Sequence, residues 1–331
     1  MYEELIRERD KNGWDNKDWA RATGFNQAVL EAIEEGDLDL SEEQQEIILS
    51  ETKKWAGRKT NLLRFVSPVV VAVSTQKGGI GKTTIATNLA YELSAMGYNV
   101  LLVDTDSQMD STKTFIEEDN IEKTLNYNFY ECVTSRSDLT EAIFSTKYER
   151  LDIVPANIKL SKVETFISAM SFKEQIVSDC LKNIMKKNYY DFIIFDTDKN
   201  IGQLNTTILN ASRYLLMVSE CASYSIDGLE TMKQQYLLVK EKTNPELEII
   251  GVVLNKVNMR KEIVKKSKDI INEMFPNGCF KNIIKNDATI EKAQWNNTSI
   301  SDYQKSSNAA KQFRSFTREF LERVEETYCY F

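Results

Sequence analysis

One stretch, residues 69–84, constrains the fold of this chain more than any other. Its sequence is VVVAVSTQKGGIGKTT. The first six residues are mostly apolar and β-branched, which is typical of a strand buried on both faces. The turn that follows contains Gly78, Gly79, Gly81, Lys82, Thr83 and Thr84. An apolar helical pattern then runs to Gly97, so the sequence predicts a strand, a glycine-rich turn and a helix in immediate succession.

This succession is suited to binding phosphate. Glycines let backbone N–H groups approach an anion, and the start of a helix adds a partial positive charge. Lys82 is expected to reach the terminal phosphates, and the Thr83 hydroxyl is expected to bind Mg²⁺. The alternative is a tight turn without a ligand, but the strand before it and the helix after it favour a nucleotide. The predicted nucleotide-binding residues here are Gly78, Gly79, Ile80, Gly81, Lys82, Thr83 and Thr84.

The spacing of this motif is unusual. In the ordinary pattern G-x-x-x-x-G-K-[ST] a glycine comes first, whereas this chain has Gln76 there and an additional lysine, Lys77. The form KGGxGKTT resembles the deviant Walker A motif of the ParA/MinD ATPases, and most closely that of ParA partition ATPases. The resemblance extends from about residue 66 to the C-terminus. It implies ATP, ADP and Mg²⁺ as cofactors, and a Lys77 that crosses a dimer interface to the partner's nucleotide.

Two further apolar runs, residues 99–104 and 190–196, end in aspartates. Carboxylates at the carboxyl ends of parallel strands lie in the ligand crevice of an α/β sheet. The resemblance implies that Asp106 positions the attacking water, that Asp104 supports the metal and that Asp196 binds Mg²⁺ through water. Thr83, Asp104 and Asp196 are therefore the expected metal residues, and Lys77, Lys82 and Asp106 the expected catalytic ones. The alternative for residues 104–106 is an ordinary surface turn.

The chain departs from the family pattern after residue 196. Asp198 and Lys199 stand where the family has two prolines, and Ser107 replaces another proline. Prolines would fix the backbone of the loop that senses the γ-phosphate. We therefore expect the departure to affect hydrolysis more than nucleotide binding.

Additional apolar strands are predicted at residues 151–155, 214–218 and 248–254, alternating with helices. This alternation predicts an α/β fold, a doubly wound and mostly parallel sheet. Residues 111–150 are expected to be helical. A helix over 172–187 and a final helix over 306–328 are expected to pack their apolar faces into the core.

Other predicted nucleotide contacts come from the resemblance alone. It implies that Asn255, at the end of a strand, contacts the adenine; a simple loop cap is the alternative. Asn286 and Asp287 lie in a segment that resembles the loop closing over the base.

Residues 1–60 are expected to form a separate helical region before a P-loop ATPase domain at 61–331. Two short helices around Gly24 have helix-turn-helix spacing, and Ser41 with Gln44 predicts a capping box. However, residues 1–59 hold 9 basic and 15 acidic residues, and the second helix has no lysine or arginine. A dimerisation or adaptor unit is therefore the alternative to a DNA-binding one.

The concentrated positive charge lies in residues 256–285, with eight basic and three acidic residues. Lys261, Lys265 and Lys268 share one helical face, with Arg260 beside them. A solvated helix face would explain this, but the same region of ParA proteins carries basic residues for non-specific DNA binding. The resemblance therefore implies double-stranded DNA as a ligand of these four residues.

The amino-acid composition argues against several other classes of protein. The chain has no histidine, which removes histidine-based catalysis, and its five cysteines are scattered without a C-x-x-C pair. No apolar run approaches the roughly 20 residues of a membrane span. We therefore expect a cytoplasmic protein, and the DNA binding that the resemblance implies would associate it with the nucleoid.

Together these features predict a DNA partition ATPase. It would form an ATP-dependent homodimer, bind DNA without sequence preference and hydrolyse ATP slowly when a ParB-like centromere-binding partner stimulates it. The alternatives are a MinD-like membrane-cycling ATPase and a transcriptional regulator switched by ATP.

Overall fold

The chain divides into two units in the computed structural model, Met1–Pro68 with Glu322–Phe331, and Val69–Leu321. The structure describes residues 2–12, 14, 16–23, 25–36, 38, 40–54, 65, 67–200, 202–258 and 261–328. The domain boundary expected at residue 60 falls outside these ranges and stays a prediction.

The first unit is helical, as expected. Its described helices are α1 (Tyr2–Lys11), α2 (Asn16–Thr23), α3 (Gln27–Glu35) and α4 (Glu42–Lys54). Their shared core includes Leu5, Trp19, Phe25, Leu30 and Ile48. The Trp19 indole donates a hydrogen bond to the Thr52 hydroxyl at 2.9 Å and so ties α2 to α4.

The capping box at the start of α4 is confirmed. The Ser41 amide donates to Gln44 Oε1 at 2.9 Å, and the Gln44 amide donates back to the Ser41 hydroxyl at 3.3 Å. Gly24, the expected turn between α2 and α3, lies outside the described residues.

The second unit is built on one sheet, and its doubly wound, mostly parallel character is confirmed. The strands within the described residues are β1 (Val69–Ser74), β2 (Val100–Asp104), β3 (Phe144–Ser145), β4 (Leu151–Val154), β5 (Phe192–Asp196), β6 (Tyr214–Ser219) and β7 (Glu248–Leu254). They lie in the order β3-β4-β2-β5-β1-β6-β7, and only β3 runs antiparallel to its neighbour.

The helices of this unit follow the strands. They are α5 (Lys82–Ala95), α6 (Asp110–Phe115), α7 (Phe129–Ser135), α8 (Val163–Ala169), α9 (Ile176–Lys187), α10 (Gln203–Asn210), α11 (Ser223–Lys242), α12 (Lys261–Met274), α13 (Ala288–Trp295) and α14 (Ile300–Tyr303). A last helix, α15 (Asn308–Thr327), begins in this unit and ends among the C-terminal residues assigned to the first. Short 3₁₀ helices cover Glu118–Leu125, Leu139–Ala142, Ile158–Lys162 and Lys173–Gln175.

Two expectations about these elements are wrong in detail. Residues 111–150 are not purely helical, because β3 lies among them, and a two-residue strand is too short to show an alternating pattern. The helix expected from residue 172 begins as an α-helix only at Ile176, after a 3₁₀ turn; Phe172 itself has a positive φ of 52°.

The central strands are apolar because helices cover both faces of the sheet. Every residue of β1, β2 and β5 is buried, the polar ones at their carboxyl ends included. β5 lies between β1 and β2, so the carboxyl ends of all three strands meet at one edge. That edge is the ligand crevice of a doubly wound sheet.

The apolar face of α15 packs into the core, as expected. Phe313, Phe316 and Phe320 are fully buried. Within the described residues, no helix is both long and apolar enough to cross a membrane.

Candidate nucleotide-binding site

The turn between β1 and α5 needs glycine at two positions. Gly79 and Gly81 have φ values of 77° and 87°, a conformation that side chains disfavour. At Gly81 there is also no room, because a Cβ would lie 2.2 Å from Asn255 Nδ2. Gly81 is the residue from which α5 starts, so the backbone turns sharply into the helix at this point.

Two side chains from the end of β7 brace this turn. Asn255 Nδ2 donates to the Ile80 carbonyl oxygen at 2.7 Å, and Lys256 Nζ donates to the Gly79 carbonyl oxygen at 2.6 Å. These bonds fix two consecutive peptide planes of the turn. This bond uses one of the two N–H groups of the Asn255 amide, and the contact with adenine that the resemblance implies for Asn255 stays a prediction.

Lys82 is a buried cation at the first position of α5, 7 % exposed. It lines a cavity of about 520 Å³, a size typical of ligand sites. Among the described residues, no carboxylate forms an ion pair with its ammonium group. Buried lysines are nearly always paired, so this one is suited to a ligand anion.

Asp196, at the end of β5, is fully buried, and its two carboxylate oxygens differ in their hydrogen bonding. Its Oδ2 accepts a hydrogen bond from the Ser111 hydroxyl at 2.7 Å, whereas its Oδ1 has no hydrogen-bond partner among the described residues. Burial raises the pKa of Asp196, while the Lys82 charge and the Ser111 and Thr83 hydroxyls oppose that rise. A buried carboxylate oxygen without a donor, beside a threonine hydroxyl, fits a hydrated Mg²⁺ ion.

Both carboxylate oxygens of Asp104 accept hydrogen bonds from other residues of the chain. Its Oδ2 accepts from the Thr112 amide at 2.8 Å and from the Thr112 hydroxyl at 2.6 Å, and its Oδ1 accepts from the Asp106 amide at 3.1 Å. Burial and the nearby charge of Asp196 raise the pKa of Asp104. These hydrogen bonds show that Asp104 stabilises the structure around it, and its role in supporting a metal stays a prediction.

Asp106 lines the same cavity and is half-buried. Its Oδ1 accepts from the Gln108 amide at 2.9 Å, which aims the carboxylate from a fixed turn. Burial raises the pKa of Asp106, and the charge of Asp198 adds to that rise. The sequence-predicted Lys82, Thr83 and Asp106 are therefore brought to one cavity, with Asp196 behind them.

Hydrogen bonds, not prolines, hold the loop after β5. The Asp198 carboxylate accepts from the Lys199 amide at 2.6 Å and from Asn200 Nδ2 at 2.7 Å. Asn205, in the first turn of α10, donates to the carbonyl oxygens of Asp198 and Asn200.

Glu164, on α8, caps the start of α10. Its carboxylate accepts from the Gln203 amide at 2.7 Å and from the Leu204 amide at 3.2 Å. Sequence reasoning missed this residue because no local pattern signals a cap supplied from another helix.

Lys77 forms an ion pair within its own chain. Its Nζ lies 3.2 Å from Glu220 Oε2, just beyond the end of β6. About a third of the Lys77 side chain remains exposed.

The segment expected to close over the base caps a helix, α13, and that helix contacts the start of α5. Asp287 Oδ1 accepts from the Thr289 amide at 2.8 Å and so caps α13, which lowers the pKa of Asp287. Asn286 and Asp287 do not line the cavity, but Gln294 on α13 does, and its Nε2 donates to the Thr84 hydroxyl at 2.7 Å. Sequence reasoning missed Gln294.

The basic residues of α12 lie apart from the cavity. Lys265 and Lys268 line a separate groove of about 490 Å³ with Lys285, and Lys268 Nζ donates to the Lys281 carbonyl oxygen at 2.8 Å. Arg260 and the Lys261 side chain lie outside what the structure describes.

The sequence between β1 and β7 also matches a known family model. The AAA_31 model, described as an AAA domain, matches residues 69–249, more than half of the chain. The chain belongs to the AAA_31 family. Its resemblance to ParA/MinD-type ATPases is thereby confirmed at the family level.

This AAA_31 protein is also similar to named proteins of two bacteria. It is 28% identical over 251 residues to the sporulation initiation inhibitor protein Soj of Bacillus subtilis, covering 76% of this chain and 97% of Soj. It is 28% identical over 255 residues to the chromosome partitioning protein ParA of Myxococcus xanthus, covering 77% and 88%.

The fold of this AAA_31 protein also matches solved structures. The Borrelia burgdorferi B31 protein BB_S35, solved with bound AMPPNP, superimposes with a TM-score of 0.66 at 21% identity, over 78% of this chain and all of that one. At that identity the match establishes the fold alone.

Proposed function

We propose that this chain is a Mg²⁺-dependent ATPase of the ParA type that moves or positions DNA. One observation carries the proposal: Lys82 is a buried cation, unpaired among the described residues, at the start of the helix that follows a glycine turn. The position of Asp106 on the same cavity adds a carboxylate that can orient water.

The chemistry would rest on position and charge. Lys82 and the amides at the start of α5 bind the phosphates of ATP, and Asp106 orients the water that attacks the terminal phosphorus. Thr83 and Asp196 would hold Mg²⁺, which neutralises charge on the phosphate oxygens when bound. ADP is then the product that remains on the phosphate-binding turn.

Dimerisation would couple ATP binding to DNA binding. ATP would close a homodimer in which Lys77 of each subunit approaches the partner's nucleotide. A ParB-like centromere-binding protein would stimulate slow hydrolysis and so open the dimer. The name of the ParA relative supports a role in partitioning. Residues 1–60 would act as an adaptor or accessory DNA-binding unit beside an ATPase domain at 61–331.

The proposed DNA-binding surface lies around α12. Non-specific binding needs cations near phosphates, since its affinity comes largely from released counterions. Lys265 and Lys268 contribute that charge, with Arg260 and Lys261 beside them in sequence. DNA binding there would place the protein on the nucleoid in the cytoplasm.

Two rival functions are less well supported. A MinD-like protein would use an exposed C-terminal apolar face on a membrane, whereas Phe313, Phe316 and Phe320 on α15 are fully buried. A DNA-reading regulator would need cations on α3, which instead carries Glu31, Glu34 and Glu35.

The test is a mobility shift on a random-sequence DNA duplex at two salt concentrations, with ATP or ADP and Mg²⁺. We expect binding with ATP only. The variant Lys265→Glu with Lys268→Glu should weaken binding and flatten its salt dependence, because it removes two phosphate-facing cations. The control is Lys186→Glu with Lys187→Glu, the same charge change in the last turn of α9.

A second arm of the test uses vesicles of anionic phospholipid and a DNA duplex taken from the region upstream of the gene that encodes this chain. ATP-dependent pelleting with vesicles but not with DNA would support the membrane rival. Binding to the upstream duplex alone, lost on deletion of residues 1–60, would support the regulator. Equal loss in both charge variants would place the DNA site elsewhere.

A further inference from the structure

Lys199 is a cation in the nucleotide cavity that the proposed chemistry leaves unused. It lies in the loop after β5 and lines the cavity together with Lys82 and Asp106. Its side chain is exposed, and within the described ranges it forms no ion pair.

The backbone around Lys199 is fixed while its side chain stays available. The Asp198 carboxylate is occupied by the Lys199 amide and by Asn200, so the neighbouring acid bonds the loop and not the Lys199 ammonium. Asn205 bonds the carbonyl oxygens on either side of Lys199, at Asp198 and Asn200. The hydrogen bonds therefore fix the position of the backbone from which the Lys199 side chain extends.

The Lys199 side chain lies against the phosphate-binding turn. A Cβ placed on Gly78 would be 3.2 Å from Lys199 Cδ, so the lysine stem passes directly beside the turn. Lys199 lines the same cavity as Lys82, and its ammonium group lies beyond Cδ along the side chain.

The position of this loop points to the terminal phosphate. Lys82 and the amides at the start of α5 lie at the base of the turn. The loop after β5 instead lines the cavity through Asp198, Lys199 and Asn200, as Asp106 does. Asp106 is the residue proposed to hold the attacking water, so Lys199 stands on the side where the reacting phosphorus would be.

We propose that Lys199 is an additional phosphate-binding residue, which contacts the terminal phosphoryl oxygens of ATP from within the same subunit. The inference rests on the proposed ATPase function and deepens it. Lys199 thereby makes the site prefer a nucleoside triphosphate over a diphosphate. Because ADP has no terminal phosphoryl group at that position, the contact is specific to the triphosphate state.

The test compares the affinities of AMPPNP and ADP, each with Mg²⁺, for the full chain and for Lys199→Gln, by titration calorimetry. Removing a charge-assisted hydrogen bond that only the triphosphate accepts should weaken AMPPNP binding about tenfold and change ADP binding less than about twofold. Lys199→Arg should restore most of the AMPPNP affinity. The matched control is Lys186→Gln, an exposed lysine on α9 that does not line the cavity.

Three results would overturn the inference. AMPPNP affinity could be unchanged in Lys199→Gln, or both nucleotides could weaken equally, which would indicate a general charge effect. Lys186→Gln could also weaken AMPPNP as much as Lys199→Gln does. Failure of the unaltered chain to bind either nucleotide would instead overturn the proposed function itself, and this inference with it.

Discussion

Asp104 and Asp196 are direct neighbours across the parallel strands β2 and β5, and both carboxylates are fully buried. Each is the last residue of its strand, and side chains paired in register point to the same face. Burial is the main reason that the pKa of both is raised. The two carboxylates differ in their contacts: Asp104 accepts hydrogen bonds from Thr112 and Asp106, whereas one oxygen of Asp196 has no donor in the part of the chain that the structure describes.

The hydroxyl of Thr112 is expected to stabilise this arrangement. It donates to Asp104 and accepts from the buried Ala156 amide at 2.9 Å. Thr112→Val keeps the shape but removes both bonds, so the free energy of unfolding should fall by about 3 kcal/mol. Urea denaturation measures this, with Thr114→Val as control, since that hydroxyl bonds only a carbonyl of its own helix. Equal effects of the two variants would contradict a special role for the Asp104 network.

Asp106→Ala is expected to separate binding from hydrolysis. The phosphate contacts from Lys82 survive in this variant, whereas the water loses its orienting carboxylate. Steady-state ATP turnover should fall about 100-fold or more, with AMPPNP affinity changed less than about threefold. The control is Asp110→Ala, an exposed acid that lines the same cavity. Normal turnover in Asp106→Ala would assign the water to another group.

Glu220→Gln is expected to strengthen ATP-dependent dimerisation. In the single chain Lys77 is paired with Glu220, and a lysine that reaches the partner's nucleotide must leave that pair. A partly exposed ion pair contributes at most about 1 kcal/mol, and one pair opens in each subunit, so the dimer dissociation constant should fall by up to about 30-fold.

Sedimentation equilibrium with AMPPNP and Mg²⁺ measures the Glu220→Gln effect. Glu246→Gln breaks a different surface pair, with Arg213, and serves as control. An unchanged or weaker dimer in Glu220→Gln would show that Glu220 does not restrain Lys77.

The core of the site was predictable because each of its parts is joined directly to an apolar strand. The glycine turn, Lys82 and Thr83 follow β1 directly, and Asp104 and Asp196 each end an apolar strand. Since the carboxyl ends of parallel strands meet at one sheet edge, the strand pattern alone is enough to bring these residues together.

The residues that sequence reasoning missed come from distant segments. Glu164 reaches α10 from α8, Gln294 reaches Thr84 from α13, and Lys256 braces Gly79 from the end of β7. No spacing rule links these partners, because their contacts depend on how helices pack on the sheet. Asn255 shows the same limit: a contact with adenine was predicted for it, but its bond to the Ile80 carbonyl was not.

The most direct test of the proposed function is nucleotide binding by Lys82→Ala, measured by titration with AMPPNP and Mg²⁺. Removing the buried cation should weaken binding by at least about 100-fold, because its ammonium group can donate several charge-assisted hydrogen bonds to phosphate at once. Lys186→Ala, on the surface of α9, should bind as the unaltered chain does, and circular dichroism should show both variants folded. Unchanged affinity in a folded Lys82→Ala would contradict the assignment of this turn as the phosphate-binding site.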